Sequence, residues 1–184
     1  MFFRQSKIPI KFSEKNKLKK IFKTIRKLSF SFTWKMFSAL MSKPLLLIPT
    51  VWATIESILF SEINFTESHS GRGVPNAFRH AAWNLLIAKN CAVFTSNEKA
   101  VAWAKFITDL HEECFPNEPF DNQMDLHNNE IGRAVFQELI HQKIHSKKKM
   151  IQHLMEKSET AVGLNEAKEI QKTKGELVYF SEKE

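Results

Sequence analysis

The stretch that decides the fold begins with Asn76-Ala77-Phe78-Arg79-His80-Ala81-Ala82-Trp83-Asn84 and ends with Met124-Asp125-Leu126-His127-Asn128-Asn129-Glu130-Ile131-Gly132-Arg133. Between these segments lies Thr108-Asp109-Leu110-His111-Glu112. Apolar residues recur at intervals of three and four in and around each segment, which predicts three helices. Three of the seven histidines lie here, each near Asn, Asp, Glu or Arg. We therefore predict that these helices build the functional site.

The first predicted helix covers residues 76–90 and carries a column of polar side chains. Asn76 is its expected N-cap, because the amide side chain can accept a hydrogen bond from an early backbone N–H. Asn76, His80 and Asn84 then follow one another at i, i+4 and i+8, so they lie on one face of the helix. We expect this face to point into the site.

Two further helices are predicted over residues 95–114 and 125–145. Residues 95–98 (Thr-Ser-Asn-Glu) have the pattern of a capping box at the start of the second helix, and Pro116 prevents its continuation. Gly132 lies in the middle of the third helix, where glycine costs about 1 kcal/mol relative to alanine. We therefore expect another helix or a ligand to approach the chain closely at Gly132.

The composition is typical of a globular protein. The chain has 184 residues, of which 43% are hydrophobic, and this is enough for one domain with a core. Only residues 177–180 have the pattern of a strand, so we predict a mainly α fold, a compact helical domain with a basic amphipathic N-terminal helix. We divide the chain into a basic N-terminal arm (1–43), a helical core domain that carries the motifs (44–145) and a polar C-terminal tail with a short helix (146–184).

The positive charge is concentrated in the N-terminal arm. Residues 1–43 contain 12 Lys/Arg and one Glu, a net charge of +11, whereas the rest of the chain contains 15 Lys/Arg and 19 Asp/Glu, a net charge of −4. We therefore expect no specific nucleic-acid partner. Residues 14–41 alternate apolar positions with lysines at helical spacing, which predicts an amphipathic helix. Such a helix either lies on an anionic membrane surface or packs its apolar stripe on the domain.

The segment from Pro44 to Phe60 is the best candidate for a membrane span. It contains two prolines and Glu56, and it is shorter than the roughly 20 apolar residues that a span needs. We interpret it as a buried helix that begins near Pro49, with a position inside the membrane as the alternative. The residues that we expect to face inward are Val51, Trp52, Ile55, Ile58 and Leu59.

The cysteines and the first residues bear on localisation. Cys91 and Cys114 are the only cysteines and do not make a disulfide framework, so a reducing compartment is expected. Their spacing excludes a CxxC zinc site, and Met1-Phe2-Phe3-Arg4 is too short an apolar run for a signal peptide. We expect a cytoplasmic protein, with peripheral attachment to a membrane through residues 1–43 as the alternative.

The three motif helices carry the groups used in general acid–base catalysis, histidine and carboxylates. The same groups bind divalent metals that accept nitrogen and oxygen ligands, such as Zn, Mn or Fe. Our first-choice metal ligands are His80, His111 and Asp125, with Glu112 as the base that acts on bound water. His127 is an alternative ligand. The candidate catalytic residues are His80, His111, Glu112, Asp125 and His127, and the candidate substrate-binding residues are Asn76, Arg79, Asn84, Asn128, Asn129 and Arg133.

These residues predict a hydrolase with a His/Asp/Glu site that acts on a phosphoester or a lipid. Arg79 and Arg133 would bind an anionic group such as phosphate through paired hydrogen bonds. The alternative is a non-catalytic helical binding or scaffold protein whose polar residues form a buried structural network. Nucleophilic catalysis is disfavoured, because a thiolate at Cys114 would lie at the negative end of a helix dipole.

Residues 76–84, 102–112 and 124–133 together resemble an uncharacterised bacterial family with the signature NAFRHxxW…HE…MDLHNNxxGR. The resemblance covers residues 74–140 of this chain. That family is a domain of unknown function, similar to modules found as small stand-alone proteins and, in related form, at the C-termini of large secreted toxin-like proteins. The resemblance implies which positions form the signature, and it implies no reaction. The signature positions are Asn76, Arg79, His80, Trp83, His111, Glu112, Asp125, His127, Asn128, Asn129, Gly132 and Arg133.

Overall fold

Six α-helices form the fold in the part of the chain that the computed structural model describes, residues 34–65, 72–115, 118–173 and 175–181. Two short strands pair in parallel, with Val162 beside Val178. The predicted mainly α class is confirmed. In chain order the elements are α1 (Trp34–Met41), α2 (Pro44–Asn64), α3 (Val74–Cys91), α4 (Asn97–Cys114), α5 (Pro119–His141), α6 (Lys147–Glu159), β1 (Val162–Leu164), a 3-10 helix (Ala167–Lys172) and β2 (Val178–Phe180).

The central helix is α3, which packs against α2, α4, α5 and α6. Its buried residues include the uninterrupted run 84–88. Five consecutive buried residues cover every face of a helix, so α3 is enclosed on all sides. The residues that position the site therefore stand in the middle of the core and not on its surface.

The crossing of α3 and α5 depends on Gly132. A Cβ atom added to Gly132 would lie 2.0 Å from the backbone oxygen of Ala81 and 2.8 Å from its Cα. Only a residue without a side chain allows two helix backbones to come this close. The predicted close approach at Gly132 is confirmed, and the approaching element is α3.

Two helices begin earlier than the sequence pattern predicted, because a proline lies in the first turn of each. Proline suits this turn, since its missing N–H would have no partner inside the helix. The helix α3 begins at Val74, so Asn76 lies within it and the prediction of Asn76 as N-cap is wrong. The helix α5 begins at Pro119 instead of residue 125. Asp125 therefore lies in its second turn, and its side chain is buried in the core.

The orientation of α2 differs from the prediction. The helix begins at Pro44, and Val51 and Trp52 are 42% and 50% exposed, so their predicted inward position is wrong. Ile55 is buried as expected. In the described part of the chain, α2 is the one helix long and apolar enough to cross a membrane by length and composition. The residues on its buried side include Leu46, Thr50, Ala53, Ser57 and Ser61.

Two tryptophans from neighbouring helices account for this orientation. The indole N–H of Trp83 donates to Thr54 Oγ1, and that of Trp103 donates to Thr50 Oγ1, each at 2.9 Å. A buried indole N–H requires an acceptor, so α2 turns its hydroxyl side chains toward α3 and α4. The apolar pattern of α2 cannot show that indoles on other helices need these acceptors, so the pattern alone predicted the wrong face.

The predicted amphipathic helix over residues 14–41 lies mostly outside the described residues. Its last eight residues form α1, which contacts α2 and α4. Leu40 of α1 is buried in the core. The end of the basic arm therefore packs on the domain through α1.

Residues beyond 146 contribute to the same core. The helix α6 packs against α3 and α5, and Met150 and Leu154 are fully buried. The strand β2 contacts the same two helices, and Leu177 just before it is fully buried. The short helix predicted in the C-terminal tail is the 3-10 helix, and the strand candidate at 177–180 is β2.

Candidate functional site

Polar side chains from α3, α4 and α5 form two adjoining groups inside the core. The first group, called the charged centre below, consists of His80, Glu112 and Asp125. The second group, called the amide network, links Asn84, Thr108, Asn129 and Arg133 by hydrogen bonds. Both groups are buried, so each must satisfy its polar atoms from within the protein or with a bound ligand.

The charged centre takes one residue from each of the three helices. His80 Nε2 lies 3.3 Å from Asp125 Oδ1, and His80 Nδ1 lies 3.7 Å from Glu112 Oε1. One candidate ligand atom from each residue lies within 4.8 Å of the other two. Asn76 Nδ2 donates to Asp125 Oδ1 at 3.1 Å. This arrangement places an imidazole and two carboxylates around one point.

One atom of the charged centre has no hydrogen bond. Within the described part of the chain, His80 Nδ1 is buried and has no hydrogen-bond partner. Its separation of 3.7 Å from Glu112 Oε1 is longer than a hydrogen bond allows. A buried polar atom in this condition costs free energy and calls for an explanation such as an ion or ligand.

Burial changes the protonation of the charged centre. It raises the pKa of Glu112 to about 7, with the charge of Asp125 adding to the effect. Burial also holds the pKa of His80 well below its usual value, and the positive charge of Arg79 acts in the same direction. His80 is therefore neutral at physiological pH, the form in which imidazole binds metals.

Arg79 stands beside the two carboxylates. Burial lowers its pKa, and the charges of Asp125 and Glu112 oppose this change. Its guanidinium also donates to Asn76 Oδ1. With both carboxylates ionised, one arginine leaves the group with a net negative charge. Asn76, Arg79 and His111 are only half-buried, so the charged centre lies at the less enclosed end of the three helices.

The amide network ties the same three helices together. Asn84 Oδ1 accepts from Arg133 Nη1 at 2.6 Å and from Thr108 Oγ1 at 3.1 Å. Asn84 Nδ2 donates to Asn129 Oδ1 at 2.7 Å, and Asn129 Nδ2 donates to Glu112 Oε1 at 3.4 Å. The network therefore fixes the crossing of the helices and reaches the charged centre through Glu112.

His111, a predicted metal ligand, lies outside the group of three. Its ring centroid is 5.0 Å from that of Trp83, edge to face, and 4.9 Å from that of Phe115. Burial and the charge of Arg79 lower its pKa to about 4. The structure thus brings Glu112, and not His111, next to His80 and Asp125.

Two other predicted site residues face the C-terminal strand instead of the charged centre. His127 Nε2 lies 2.9 Å from the backbone oxygen of Glu176. Asn128 pairs with Val178 twice, donating to its carbonyl and accepting from its N–H, both at 2.9 Å. These contacts hold β2 against α5.

We expect Asn128→Ala to destabilise the protein by about 2–4 kcal/mol, because it leaves two buried backbone groups of Val178 without partners. Urea unfolding followed by circular dichroism measures this change. Asn128→Asp is a second variant: it keeps an oxygen that accepts from the Val178 N–H, but it places a buried carboxylate against the Val178 carbonyl oxygen and should also be destabilising. Equal stability of Asn128→Ala and wild type would contradict the assigned contact.

The pKa of Glu112 gives a prediction for the metal-free protein in the presence of a chelator. The folded state holds the proton up to pH 7, whereas the unfolded carboxyl loses it near pH 4.5. The proton on Glu112 therefore contributes fully to the free energy of unfolding below pH 4.5, and this contribution is lost as the pH rises through 7. The loss amounts to roughly 3 kcal/mol at most.

The matched comparison is Glu112→Gln, which has no carboxyl at this position. The lowered pKa values of His80 and His111 act in the opposite direction, but they affect both proteins. The difference in unfolding free energy between wild type and variant should thus shift in favour of the variant between pH 5 and 7. Parallel stability curves would show that Glu112 is not titrating in the folded protein.

The sequence missed Thr108 as a member of the site. It lies four residues before Glu112 and therefore on the same face of α4, a signal that was present in the sequence. No signal in the sequence shows that Glu112 rather than His111 faces His80, because this depends on the rotation of α4 against α3.

The fold and the site define a helical protein with a histidine–carboxylate centre buried between three helices. The chain belongs to the family of the domain of unknown function DUF6973, whose family model matches residues 37–162. The match spans all three helices of the site. The comparison with curated proteins and the comparison with solved structures each gave no match. The signature positions and the relation to toxin-like proteins stay predictions.

Proposed function

We propose that His80, Glu112 and Asp125 bind one divalent metal ion and that the protein uses this ion to hydrolyse a phosphoester. The observation that carries the proposal is the convergence of three ligand atoms from three helices within 4.8 Å of one another. The buried, unpartnered Nδ1 of His80 supports it, because a bound cation would remove the cost of that atom.

The charge of the group also favours a cation. Two carboxylates face each other in the core, and this is unfavourable unless a proton or a positive charge lies between them. Arg79 supplies one positive charge near both carboxylates. With both carboxylates ionised, a divalent ion would change the net charge of the group from −1 to +1 and would favour an anionic substrate.

The ligand set indicates the kind of ion and its chemistry. One imidazole and two carboxylates suit Mn, Fe or Zn. Three protein ligands leave positions for water and substrate, and such an ion lowers the pKa of the water it binds. Glu112 is a metal ligand in this proposal, whereas the sequence predicted that it is the base acting on bound water.

The remaining side chains have positioning or binding roles in this proposal. Asn76 orients Asp125 and Asn129 orients Glu112 through their amide hydrogen bonds, as outer partners of metal ligands commonly do. Arg79 can bind phosphate oxygens through paired hydrogen bonds. Arg133 belongs to the amide network, since its Nη1 donates to Asn84 Oδ1.

The second candidate function is a non-catalytic helical scaffold or binding protein. The observation that favours it is the amide network, whose buried groups satisfy one another without any ligand. In that case the charged centre would also be structural. Substitutions in it would then cost several kcal/mol of stability and change no metal affinity.

Hydrolysis of p-nitrophenyl phosphate and bis(p-nitrophenyl) phosphate, with Mn²⁺ or Zn²⁺ added, tests the proposed reaction. We expect wild type to release nitrophenolate only with metal, and Glu112→Gln to lose at least roughly 100-fold in rate. Glu113→Gln is the matched control, because it makes the same chemical change at the neighbouring exposed residue. Equal rates in wild type and Glu112→Gln, or no metal-dependent release, would reject the hydrolase.

A further inference from the structure

The helices α1 and α2 expose large apolar side chains along one continuous part of the sequence. Leu45 and Ile48 are 72% and 77% exposed, and Trp52 is half-exposed. Leu45, Ile48 and Trp52 follow one another at intervals of three and four within α2, the spacing of a helix face. The docking face, as we call it, consists of Leu45, Ile48, Val51 and Trp52 on α2.

The helix α2 contains polar residues, but they do not lie on the docking face. Thr50, Ser57 and Ser61 are all buried on the opposite side of this helix. Ser61 Oγ donates to the backbone oxygen of Pro75 at 3.2 Å, and Thr50 Oγ1 donates to that of Leu46 at 2.6 Å. A helix in contact with water normally shows the reverse pattern. A large exposed apolar surface of this kind marks an interaction site.

Positive charge lies in the same part of the chain. Residues 1–43, which precede the docking face in the sequence, contain 12 Lys/Arg and one Glu. A groove of about 320 Å³ lies between α4 and the turn that joins α1 to α2, and its lining includes Lys43, Lys99, Trp103 and Phe106. Lys43 Nζ lies 5.3 Å from the centre of the Trp103 ring. The occupant of this surface must therefore be both apolar and negatively charged.

We propose that the docking face lies on an anionic lipid bilayer, with α2 in the plane of the interface and the neighbouring cations Lys43 and Lys99 at the lipid headgroups. An apolar helix face with adjoining Lys and Arg is the combination that binds such a surface. This proposal is independent of the metal site.

The other side of α2 keeps the helix on the protein rather than across the membrane. Ala53 is fully buried against the core. Glu56 accepts from Lys147 Nζ at 2.7 and 2.9 Å and from Asn90 Nδ2 at 3.0 Å. These contacts fix α2 to α3 and α6, so only its outer face is offered to lipid.

Flotation of the full chain with lipid vesicles tests the proposal. We expect binding to vesicles of phosphatidylcholine mixed with phosphatidylglycerol, weak binding to phosphatidylcholine alone, and a decrease with added salt. The double variant Leu45→Gln/Ile48→Gln should lower the partition coefficient at least roughly tenfold. Leu126→Gln, an exposed position on α5, is the matched control and should bind as wild type does.

Fluorescence keeps the test valid if the double variant folds poorly. Brominated acyl chains should quench wild-type tryptophan emission, and Trp52→Phe should reduce this quenching, because Trp52 is the tryptophan on the docking face. Equal quenching in both proteins would overturn the proposal, as would wild-type binding by a folded double variant. Concentration-dependent dimerisation without vesicle binding would also overturn it, because the docking face would then be covered by a second copy of the chain.

Discussion

Gly132→Ala is expected to destabilise the protein by about 3 kcal/mol or more, because the new Cβ meets backbone atoms that cannot move independently. The nearest are the oxygen and the carbonyl carbon of Ala81, at 2.0 and 2.7 Å. To make room, α3 and α5 must separate along their whole crossing. The gain of about 1 kcal/mol in helix propensity on replacing glycine by alanine is too small to offset this. Urea unfolding followed by circular dichroism measures the difference.

Gly73→Ala is the control for this prediction. Its added Cβ would lie 3.6 Å from Pro75 Cδ, an ordinary contact, so its effect should be about 1 kcal/mol or less. A Gly132→Ala protein as stable as Gly73→Ala would mean that the two helices are not packed as described. Because the same crossing positions His80 against Asp125, the Gly132 variant should also lose metal affinity.

Asp125→Asn is expected to weaken the binding of Mn²⁺ and Zn²⁺ by at least roughly 100-fold, more than the loss of an outer partner of a metal ligand usually causes. The substitution removes a charged ligand and keeps the size of the side chain. It also keeps an oxygen that can accept from Asn76. Isothermal titration calorimetry of metal into chelator-treated protein measures the affinity.

Asp109→Asn makes the same change at a more exposed carboxylate, which pairs with Lys105 on the same helix. This control should bind metal as wild type does. If Asp125→Asn kept wild-type affinity, the ion would have to be bound elsewhere. If both variants lost metal affinity equally, the loss would come from the lower negative charge of the protein and not from the loss of a ligand.

Local spacing was sufficient to predict part of the site. The column of Asn76, His80 and Asn84 followed from helical periodicity, and these residues do lie on the face of α3 toward α5. The close approach at Gly132 followed from the cost of glycine in a helix. Both inferences depend only on the chain within one helix, which a sequence shows directly.

Other features depended on contacts between helices. His111 and Glu112 are neighbours about 100° apart on α4, so the rotation of α4 decides which one faces His80. That rotation is set by packing, in which Trp103 and Ile107 are buried against the core. The inward polar face of α2 likewise depends on the indoles of Trp83 and Trp103. The early start of α5 did have a local signal, since Pro119 is suited to a first turn.

The most direct measurement is the metal content of three proteins, wild type, His80→Ala and His111→Ala, by mass spectrometry after incubation with Mn²⁺ or Zn²⁺ and desalting. His80 is a ligand in this account, whereas the ring of His111 packs against Trp83 and Phe115. Near-stoichiometric metal in wild type and in His111→Ala, with none in His80→Ala, is the predicted result. Wild type without metal, or loss of metal in His111→Ala with retention in His80→Ala, would contradict the proposed centre.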